Sequence, residues 1–288
     1  MGIRDLNKYM IDNCSKTSIY KTHLFKLKGK TVVIDTSIYL YKYLTSNSLI
    51  ENMYLLISIL LHYNITPLFI FDGKPPAEKK ELLKERNDKK KEAEMKYKNI
   101  QNVLTNKNIT NENKKQLQDE LNSLKKQFVR LNEKDISSVK ELIVKYGIDY
   151  IDAPSEADQL CVYFVNTDKA WACLTDDMDM FVYGCKRVIR HISLLEHTVI
   201  LYDTSKILKD LQMDLQTFRQ ILVISGTDYN TKLNTCLYKT LQWYKEYMKN
   251  DNQEIDFYTW LNTNTRYIEN YEQLIKIYNI LKFLFFLK

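Results

Sequence analysis

The sequence has no framework of paired cysteines. Its five cysteines lie far apart and form no C-x-x-C motif, at Cys14, Cys161, Cys173, Cys185 and Cys236. This spacing predicts free thiols in a reducing compartment, and it argues against a disulfide-stabilised fold or a thiolate zinc site. The four histidines are dispersed as well. Any metal ion would therefore have to be held by carboxylates.

Long uninterrupted apolar runs are also missing. No segment has the length and composition of a signal peptide or of a membrane span. Gly2 does not begin an N-myristoylation motif, because Leu6 occupies the position that requires Ser or Thr. We therefore expect an intracellular globular protein with no membrane partner. The net charge of +6 permits a phosphate-bearing partner but does not require one.

The N-terminal part alternates strand and helix patterns. Residues 31–35 form a β-branched block typical of a strand covered on both faces, and residues 68–73 form a second block that ends in an Asp-Gly turn signal. The apolar stretch 55–61 between them has helical length. A strand, a helix and a strand imply a crossover and a parallel sheet. We predict an α/β fold, with a mainly parallel central sheet and helices on both faces.

Residues 77–134 differ from this pattern and predict an inserted helical hairpin. Residues 79–98 are dense in Lys, Arg and Glu. Apolar side chains then recur at alternating spacings of four and three, at Leu117, Leu121, Leu124, Phe128 and Leu131. This is one thin apolar stripe on a helix, with the Asn-rich residues 105–113 as the turn. A solvated helix pair without a function is the alternative interpretation.

The remaining elements follow from the same patterns. We predict a helix around residues 139–146 that ends at Gly147, and a second helix with Ser155 as its N-cap. Further predicted elements are strands at 149–151, 170–174, 187–192 and 198–202 and helices at 205–211 and 215–224. Neither Gly nor Pro occurs beyond Thr227, and the rest of the chain reads as mostly helical.

Acidic residues follow several of the predicted buried segments. The carboxyl ends of parallel strands meet at one crevice, so these side chains are expected to converge there. They are Asp35, Asp72, Glu156, Asp158, Asp177, Asp179 and Asp228. Oxygen ligands without His or Cys suit Mg²⁺ or Mn²⁺, and two such ions form a clamp for attack on a phosphodiester. Each acid alone is more often a turn former or a helix cap.

Six motifs resemble those of the flap endonuclease family, which also contains the xeroderma pigmentosum group G nucleases. In chain order they are Met1-Gly2-Ile3-Arg4-Asp5-Leu6, Val33-Ile34-Asp35, Phe71-Asp72-Gly73-Lys74-Pro75-Pro76, Ala153-Pro154-Ser155-Glu156-Ala157-Asp158, Thr175-Asp176-Asp177-Met178-Asp179 and Gly226-Thr227-Asp228-Tyr229. The resemblance covers about residues 1–230. It implies a PIN-like nuclease fold that hydrolyses DNA near 5′ ends, with the inserted hairpin as a helical arch.

The resemblance also implies the grouping of the metal ligands. One Mg²⁺ would be held by Asp35, Asp72, Glu156 and Asp158. A second would be held by Asp177, Asp179 and Asp228, and Mn²⁺ could replace either ion. The family usually has Glu at the position of Asp158. The Asp side chain is shorter by one methylene, and a water could fill the gap between it and the ion.

The DNA-binding residues are likewise implied by the resemblance. Lys79 and Arg86 match two basic positions of the arch that face the phosphate being cut, where they would stabilise its developing charge. Tyr41 matches an aromatic residue that stacks on a terminal base, although Tyr39 could take that role instead. Gly2, as the new N-terminus after removal of Met1, would lie near the DNA.

Three segments depart from the family pattern. Residues 43–55 are shorter than the family loop that binds a one-nucleotide 3′ flap. Residues 230–236 contain no glycine, whereas the family has a Gly-x-Gly hairpin there that binds potassium and duplex DNA. We expect no such potassium site, and duplex binding through side chains such as Lys232 and Lys239 instead. Residues 281–288 contain no sliding-clamp motif.

The sequence therefore predicts a nuclease domain at residues 1–229, with the arch at about 77–134, and a helical DNA-binding region at 230–288. The expected activity is Mg²⁺-dependent, structure-specific cleavage of 5′ flaps, nicks, gaps or ends, as a 5′ flap endonuclease and 5′→3′ exonuclease. The setting would be the nucleus or a viral or cytoplasmic replication site, and the protein would be a monomer. A non-catalytic scaffold and an RNA 5′→3′ exonuclease are the alternatives.

Overall fold

The protein is built around one sheet flanked by helices. A computed structural model describes residues 3–104, 111–230, 235–249 and 255–282, with only the backbone described at residues 111–114. The strands are β1 (Ile19–His23), β2 (Thr31–Asp35), β3 (Thr66–Phe71), β4 (Tyr150–Asp152), β5 (Ala172–Leu174), β6 (Arg187–Ser193) and β7 (Thr198–Asp203). The helices are α1 (Leu6–Asn13), α2 (Thr36–Thr45), α3 (Leu49–His62), α4 (Lys80–Leu104), α5 (Asn111–Gln127), α6 (Glu133–Lys145), α7 (Ala157–Asn166), α8 (Thr204–Asp210), α9 (Leu215–Ile224), α10 (Leu237–Met248), α11 (Phe257–Asn264) and α12 (Tyr271–Lys282).

The seven strands of the described residues follow the order β1-β7-β6-β5-β2-β3-β4. Strands β2 to β6 pair in parallel, whereas β7 pairs antiparallel with both β6 and β1. The predicted α/β class with a mainly parallel sheet is confirmed. The chain runs outward from β2 to β3 and β4, and then returns to β5 on the other side of β2. This reversal opens a crevice at the carboxyl ends of β2 and β5.

The sheet separates two hydrophobic layers because successive strand side chains point to opposite faces. In β2, Val33 packs on the face covered by α1, α7 and α9, and Val32 and Ile34 pack on the face covered by α2, α3 and α6. In β5, Cys173 lies in the same layer as Val33, and Leu174 lies in the other layer. Both faces are therefore covered, as the apolar strand sequences predicted.

The inserted hairpin consists of α4 and α5. Its interior is a narrow seam, because Ala93, Leu121 and Leu124 are buried there and Tyr97 meets Phe128 edge-on at 5.3 Å. The predicted helical hairpin is confirmed. Part of its predicted turn is helical, since α5 begins at Asn111. The rest of that turn lies outside the described residues.

Helices α10, α11 and α12 pack against α9 and share its hydrophobic layer. The predicted helical character of this region is confirmed for its described residues. The boundary at residue 229 stays a prediction. In the described part of the chain, no helix combines the length and the apolar character needed to cross a membrane.

Candidate active site

The predicted acidic residues meet at the crevice between β2 and β5. Asp35 is the last residue of β2, and Asp177 and Asp179 lie in the turn that follows β5. Asp72 follows β3, the neighbour of β2. These positions are adjacent because the three strands are parallel neighbours and end at the same edge. Strand topology thus brings together four carboxylates from three distant segments of the chain.

The acids from the later part of the chain are brought in by α7 and by the turn after α9. Glu156 is the N-cap residue of α7, and Asp158 lies in its first turn. Asp228 follows Gly226, whose φ of 110° reverses the chain at the end of α9. An L-residue with a side chain would be strained at that φ. All seven acids therefore belong to one region of the molecule.

Two basic residues of the arch lie among these acids. Lys79 Nζ donates to Glu156 Oε1 at 2.6 Å and lies 3.9 Å from Asp228 Oδ2. Arg86 Nη2 donates to the same Asp228 oxygen at 2.8 Å. The Lys79 side chain is only 8% exposed. The base of the arch therefore places two cations directly in the acidic cluster.

Most of the carboxylates also have a protein hydrogen-bond donor. Thr175 donates to Asp35 Oδ2 at 2.9 Å and accepts from the backbone N–H of Asp177, so it ties β2 to the acidic turn. Asp158 accepts from the N–H of Gln159, and Asp177 accepts from the N–H of Asp179. The sequence does not reveal this role of Thr175, because its acceptor Asp35 lies 140 residues away in the chain.

Asp72 is held by α7. Its Oδ1 accepts the N–H of Ala157 at 2.8 Å, which satisfies a free donor at the start of that helix. The prediction that Ser155 is the N-cap is wrong, because Glu156 occupies that position. The Ser155 carbonyl instead accepts the N–H of Gly73 at 2.7 Å. This bond fixes the loop before α7 against the end of β3.

Burial and mutual repulsion raise the proton affinity of several acids. Burial, together with nearby Asp72, Asp158 and Asp177, holds the pKa of Asp35 well above its usual value. Burial and Glu156 raise the pKa of Asp158 to about 8. The pKa of Asp179 is also raised, by burial and then by Asp177. Buried carboxylates that lie this close together destabilise the folded protein when they are ionised, unless nearby positive charge offsets their repulsion. Metal cations or a lysine side chain can supply that charge.

The arch lysine supplies part of that charge. Burial alone would lower the pKa of Lys79, but the carboxylates of Asp158 and Glu156 outweigh burial, and the net pKa is raised. Lys79 is therefore charged at neutral pH and partly neutralises the cluster.

The donor set suits a hard divalent cation. It consists of carboxylate oxygens, and Asp179 Oδ1 is buried with no hydrogen-bond partner among the described residues. Among the residues that the structure describes, no three His, Cys, Asp or Glu side chains lie close enough together to enclose a metal ion. Glu156, Asp228 and Asp72 are instead held by Lys79, Arg86 and the start of α7. Metal binding would require such protein contacts to be exchanged for the ion.

A second network anchors the acidic turn. Asp176 accepts from Lys42 Nζ at 3.2 Å and from the N–H of His191 at 2.8 Å, and its carbonyl accepts from Arg190 at 2.9 Å. Arg190 also donates to Asn7 of α1 at 2.8 Å. The turn is thus tied to α1, α2 and β6. Asp176 was recognised only as part of a motif, since sequence does not show these partners.

The predicted DNA-binding residues have different surroundings. Tyr41 is exposed and stacks under Lys90 of the arch, with 5.1 Å between Nζ and the ring centroid. Tyr39 is fully buried, so the alternative that Tyr39 stacks on a base is wrong. Lys239 is exposed on α10, with its Nζ over the Trp243 ring. Gly2 and Lys232 lie outside the described residues.

Two family models match the chain in its two motif-bearing parts. The XPG N-terminal domain matches residues 1–93, and the XPG I-region matches residues 147–228. Together they include all seven acids and both arch cations. The chain belongs to the XPG and flap endonuclease family. Flap endonuclease 1 of Methanocaldococcus jannaschii is 30% identical to this chain over 220 residues. The aligned region covers 71% of this chain and 64% of the Methanocaldococcus protein.

Solved structures agree with the XPG and flap endonuclease fold. The catalytic core of Rad2 in complex with a DNA substrate matches 98% of this chain and 86% of its own, with a TM-score of 0.67 and 21% identity. The Holliday junction-resolving enzyme GEN1, solved with product DNA and Mg²⁺, matches 92% of this chain and 57% of its own, with a TM-score of 0.59 and 19% identity. This XPG-family chain spans less than two thirds of the length of the curated relatives it matches.

Proposed function

We propose that the protein is a divalent-metal-dependent nuclease that hydrolyses DNA phosphodiesters near 5′ ends, at flaps, nicks, gaps or free ends. One observation carries this proposal: seven carboxylates meet at the switch point of the sheet together with two cations from the arch. That combination can hold metal ions and a phosphate at the same place. The relatives named above support DNA as the substrate and a role in its replication, repair or recombination.

The acids would hold the metal. Asp35, Asp72, Glu156 and Asp158 would bind one Mg²⁺, and Asp177, Asp179 and Asp228 would bind a second. When bound, two such ions activate water and stabilise the leaving oxygen, and Mn²⁺ can serve the same purpose.

In the reaction, the side chains of the protein would position the metal ligands and neutralise the charge that develops on the phosphate. Lys79 and Arg86 would turn from Glu156 and Asp228 toward the phosphate and stabilise the charge that develops there. Both now lie within 4 Å of the same oxygen of Asp228, inside the acidic cluster. Thr175 would keep Asp35 and the acidic turn in register.

The DNA would be bound by residues around this centre. Tyr41 would stack on a terminal base after exchanging its contact with Lys90, and Gly2 would lie near the DNA. Residues 230–288, including Lys232 and Lys239, would contact the duplex. The nuclease domain would then be residues 1–229.

A cleavage assay with defined substrates tests the proposal. Labelled flap, nicked, gapped and single-stranded DNA, and an RNA flap of the same sequence, are incubated with the protein with and without Mg²⁺. We expect Mg²⁺-dependent cutting of DNA near the 5′ end. Preferential cutting of RNA would favour the RNA exonuclease, and binding without any cutting would favour a scaffold.

Two variants connect this activity to the site. Asp177→Asn keeps the oxygen that accepts from Asp179 but removes a charge, and it should slow cleavage at least roughly 100-fold. DNA affinity should change by less than about tenfold, because phosphate contacts supply most of the binding. Asp168→Asn is the matched control, since Asp168 is exposed and its carboxylate pairs with Lys186, away from the acidic cluster. Normal turnover of Asp177→Asn at saturating Mg²⁺ would contradict the metal assignment.

A further inference from the structure

Tyr229 stands between an acid and a cation of the site. It follows Asp228 and is 8% exposed. Its hydroxyl donates to Glu156 Oε2 at 2.7 Å, and its ring centroid lies 4.8 Å from Lys79 Nζ. Lys79 in turn donates to the other oxygen of Glu156, Oε1, at 2.6 Å. The three side chains therefore form a closed triangle in which each contacts the other two.

The triangle fixes the orientation of Glu156. Tyr229 and Lys79 bind different oxygens of this carboxylate, so rotation about its terminal bond would break at least one contact. When Lys79 leaves Oε1 for a phosphate, the Tyr229 hydroxyl still holds Oε2. A carboxylate with such an outer hydrogen-bond donor is preoriented for a metal ion, because it does not have to be ordered when the ion binds.

The same ring limits where the Lys79 ammonium can lie. A cation over an aromatic face is attracted by the negative charge of the ring face, and that attraction is stronger away from water. Lys79 is buried, so water competes little with Tyr229. The ring thus holds the ammonium beside the acids, where its nitrogen donates to Glu156 and could exchange that contact for a phosphate.

The backbone of Tyr229 is itself held in place. The side chain of Asn230 accepts from Thr227 Oγ1 at 2.6 Å and also from the Thr227 N–H. Thr227 Oγ1 accepts from the N–H of Tyr229 at 3.3 Å. These contacts close the turn after α9, so the tyrosine ring is presented to the site on a fixed support.

We propose that Tyr229 is a positioning residue with two separable roles, in which its hydroxyl orients Glu156 for the divalent cation and its ring holds Lys79 for the phosphate. The proposal rests on the proposed nuclease function. Tyr229→Phe removes only the first role, because the ring is kept. Tyr229→Leu removes both. Tyr258→Phe is the matched control, since it removes a buried tyrosine hydroxyl that donates to a backbone carbonyl in α9 at 2.7 Å.

The first role is tested without catalysis. The full chain is titrated with Mn²⁺, and free Mn²⁺ is measured by electron paramagnetic resonance. Tyr229→Phe should weaken Mn²⁺ binding roughly tenfold, as loss of an outer hydrogen bond to a metal ligand typically does. Tyr258→Phe should bind like the unchanged protein. Equal Mn²⁺ affinity in Tyr229→Phe and the unchanged protein would overturn this role.

The second role has two measurements. At saturating Mg²⁺, Tyr229→Phe should cleave bound DNA at nearly the unchanged single-turnover rate, whereas Tyr229→Leu should be slower by roughly tenfold or more with unaltered DNA affinity. Reductive methylation read by mass spectrometry should show Lys79 protected in Tyr229→Phe and reactive in Tyr229→Leu. Equal protection of Lys79 in both variants would overturn the role of the ring.

These readouts separate the inference from the proposed function. If the unchanged protein binds Mn²⁺ but cleaves no nucleic acid, the nuclease proposal fails, and the Mn²⁺ and methylation comparisons still decide for or against Tyr229. Circular dichroism establishes that each variant is folded. Tyr229→Phe keeps the proposal falsifiable if Tyr229→Leu does not fold.

Discussion

Lys79 and Arg86 contact the same oxygen of Asp228 but differ in burial. The Lys79 side chain is 8% exposed and that of Arg86 is 42% exposed. Charges interact more strongly where water is excluded. Lys79 should therefore contribute more than Arg86 to stabilising the charge that develops on the phosphate.

This difference gives a prediction for the two alanine variants. Lys79→Ala should lower the single-turnover rate roughly 100-fold, and Arg86→Ala should lower it less. DNA affinity should change only a few-fold in both. The rate is measured with enzyme in excess over a labelled flap, and Lys84→Ala, on the exposed side of α4, is the control. Weaker binding with an unchanged bound-state rate would identify both residues as ordinary phosphate contacts.

Gly73 links the end of β3 to the loop that carries Glu156. A Cβ atom added to Gly73 would lie 1.9 Å from the carbonyl oxygen of Ala153, so the backbone would have to move. Gly73→Ala should lower the free energy of unfolding by about 1–3 kcal/mol. It should also reduce cleavage, because Glu156 moves with the loop.

A comparison glycine separates these two effects. Gly29 has a φ of 73°, and no atom of the described part of the chain lies within 4 Å of an added Cβ. Gly29→Ala should therefore destabilise the protein through backbone strain without reducing turnover. Thermal unfolding and cleavage rates of both variants test this. Unchanged cleavage by Gly73→Ala would show that the loop accommodates the methyl group without moving Glu156.

The sequence predicted the charged residues that the structure brings together, but not the partners that hold them. Asp35 and Asp177 could be predicted because a carboxylate after a buried strand is visible in the pattern. Thr175 and Tyr229 could not, because a hydroxyl becomes informative only when its acceptor is known. Both acceptors are distant in sequence, at Asp35 and Glu156. Ser155 was wrongly predicted as an N-cap because its carbonyl is used by Gly73 instead.

At the scale of elements, prediction succeeded where the apolar pattern was continuous. Strand β2 and helix α9 have the predicted bounds. Strand β1 was missed, since its five residues alternate weakly and are ordered by pairing with β7, far along the chain. Non-local pairing of this kind leaves little signal in a short window.

The arch should unfold more independently of the sheet than the other helices do. Its seam contains few buried side chains, among them Leu121 and Leu124. Leu124→Ala removes one of them, and a buried Leu→Ala change costs roughly 2–5 kcal/mol. We expect faster amide hydrogen exchange in α4 and α5 and unchanged exchange in β2.

Exchange is measured by mass spectrometry on the variant and on Lys125→Ala, an exposed control in the same helix. Cleavage of flaps should also slow, because Lys79 and Arg86 extend from the base of the arch. Equal acceleration of exchange in β2 and in the arch would show that the hairpin and the sheet unfold as one unit.

At the scale of the whole molecule, DNA affinity should be set by charge and not by a specific monovalent ion. A backbone potassium site requires carbonyls to converge, which positive φ values allow and which Gly adopts readily. Residues 230–236 contain no glycine. Asn230 does not take a positive φ in the described part of the chain, and its side chain is committed to Thr227 and Val223.

We therefore expect equal DNA affinity in K⁺, Na⁺ and a bulky organic cation at one ionic strength. Ionic strength must be held fixed, because counterion release alone changes affinity steeply with salt. Binding is measured by fluorescence anisotropy of a labelled nicked duplex in Ca²⁺, whose flexible coordination is expected to support binding without cleavage. A salt titration in each cation should give the same slope. A several-fold gain that is specific to K⁺ would mean that carbonyls of residues 230–236 do bind the ion, and that duplex binding does not depend mainly on side chains such as Lys239.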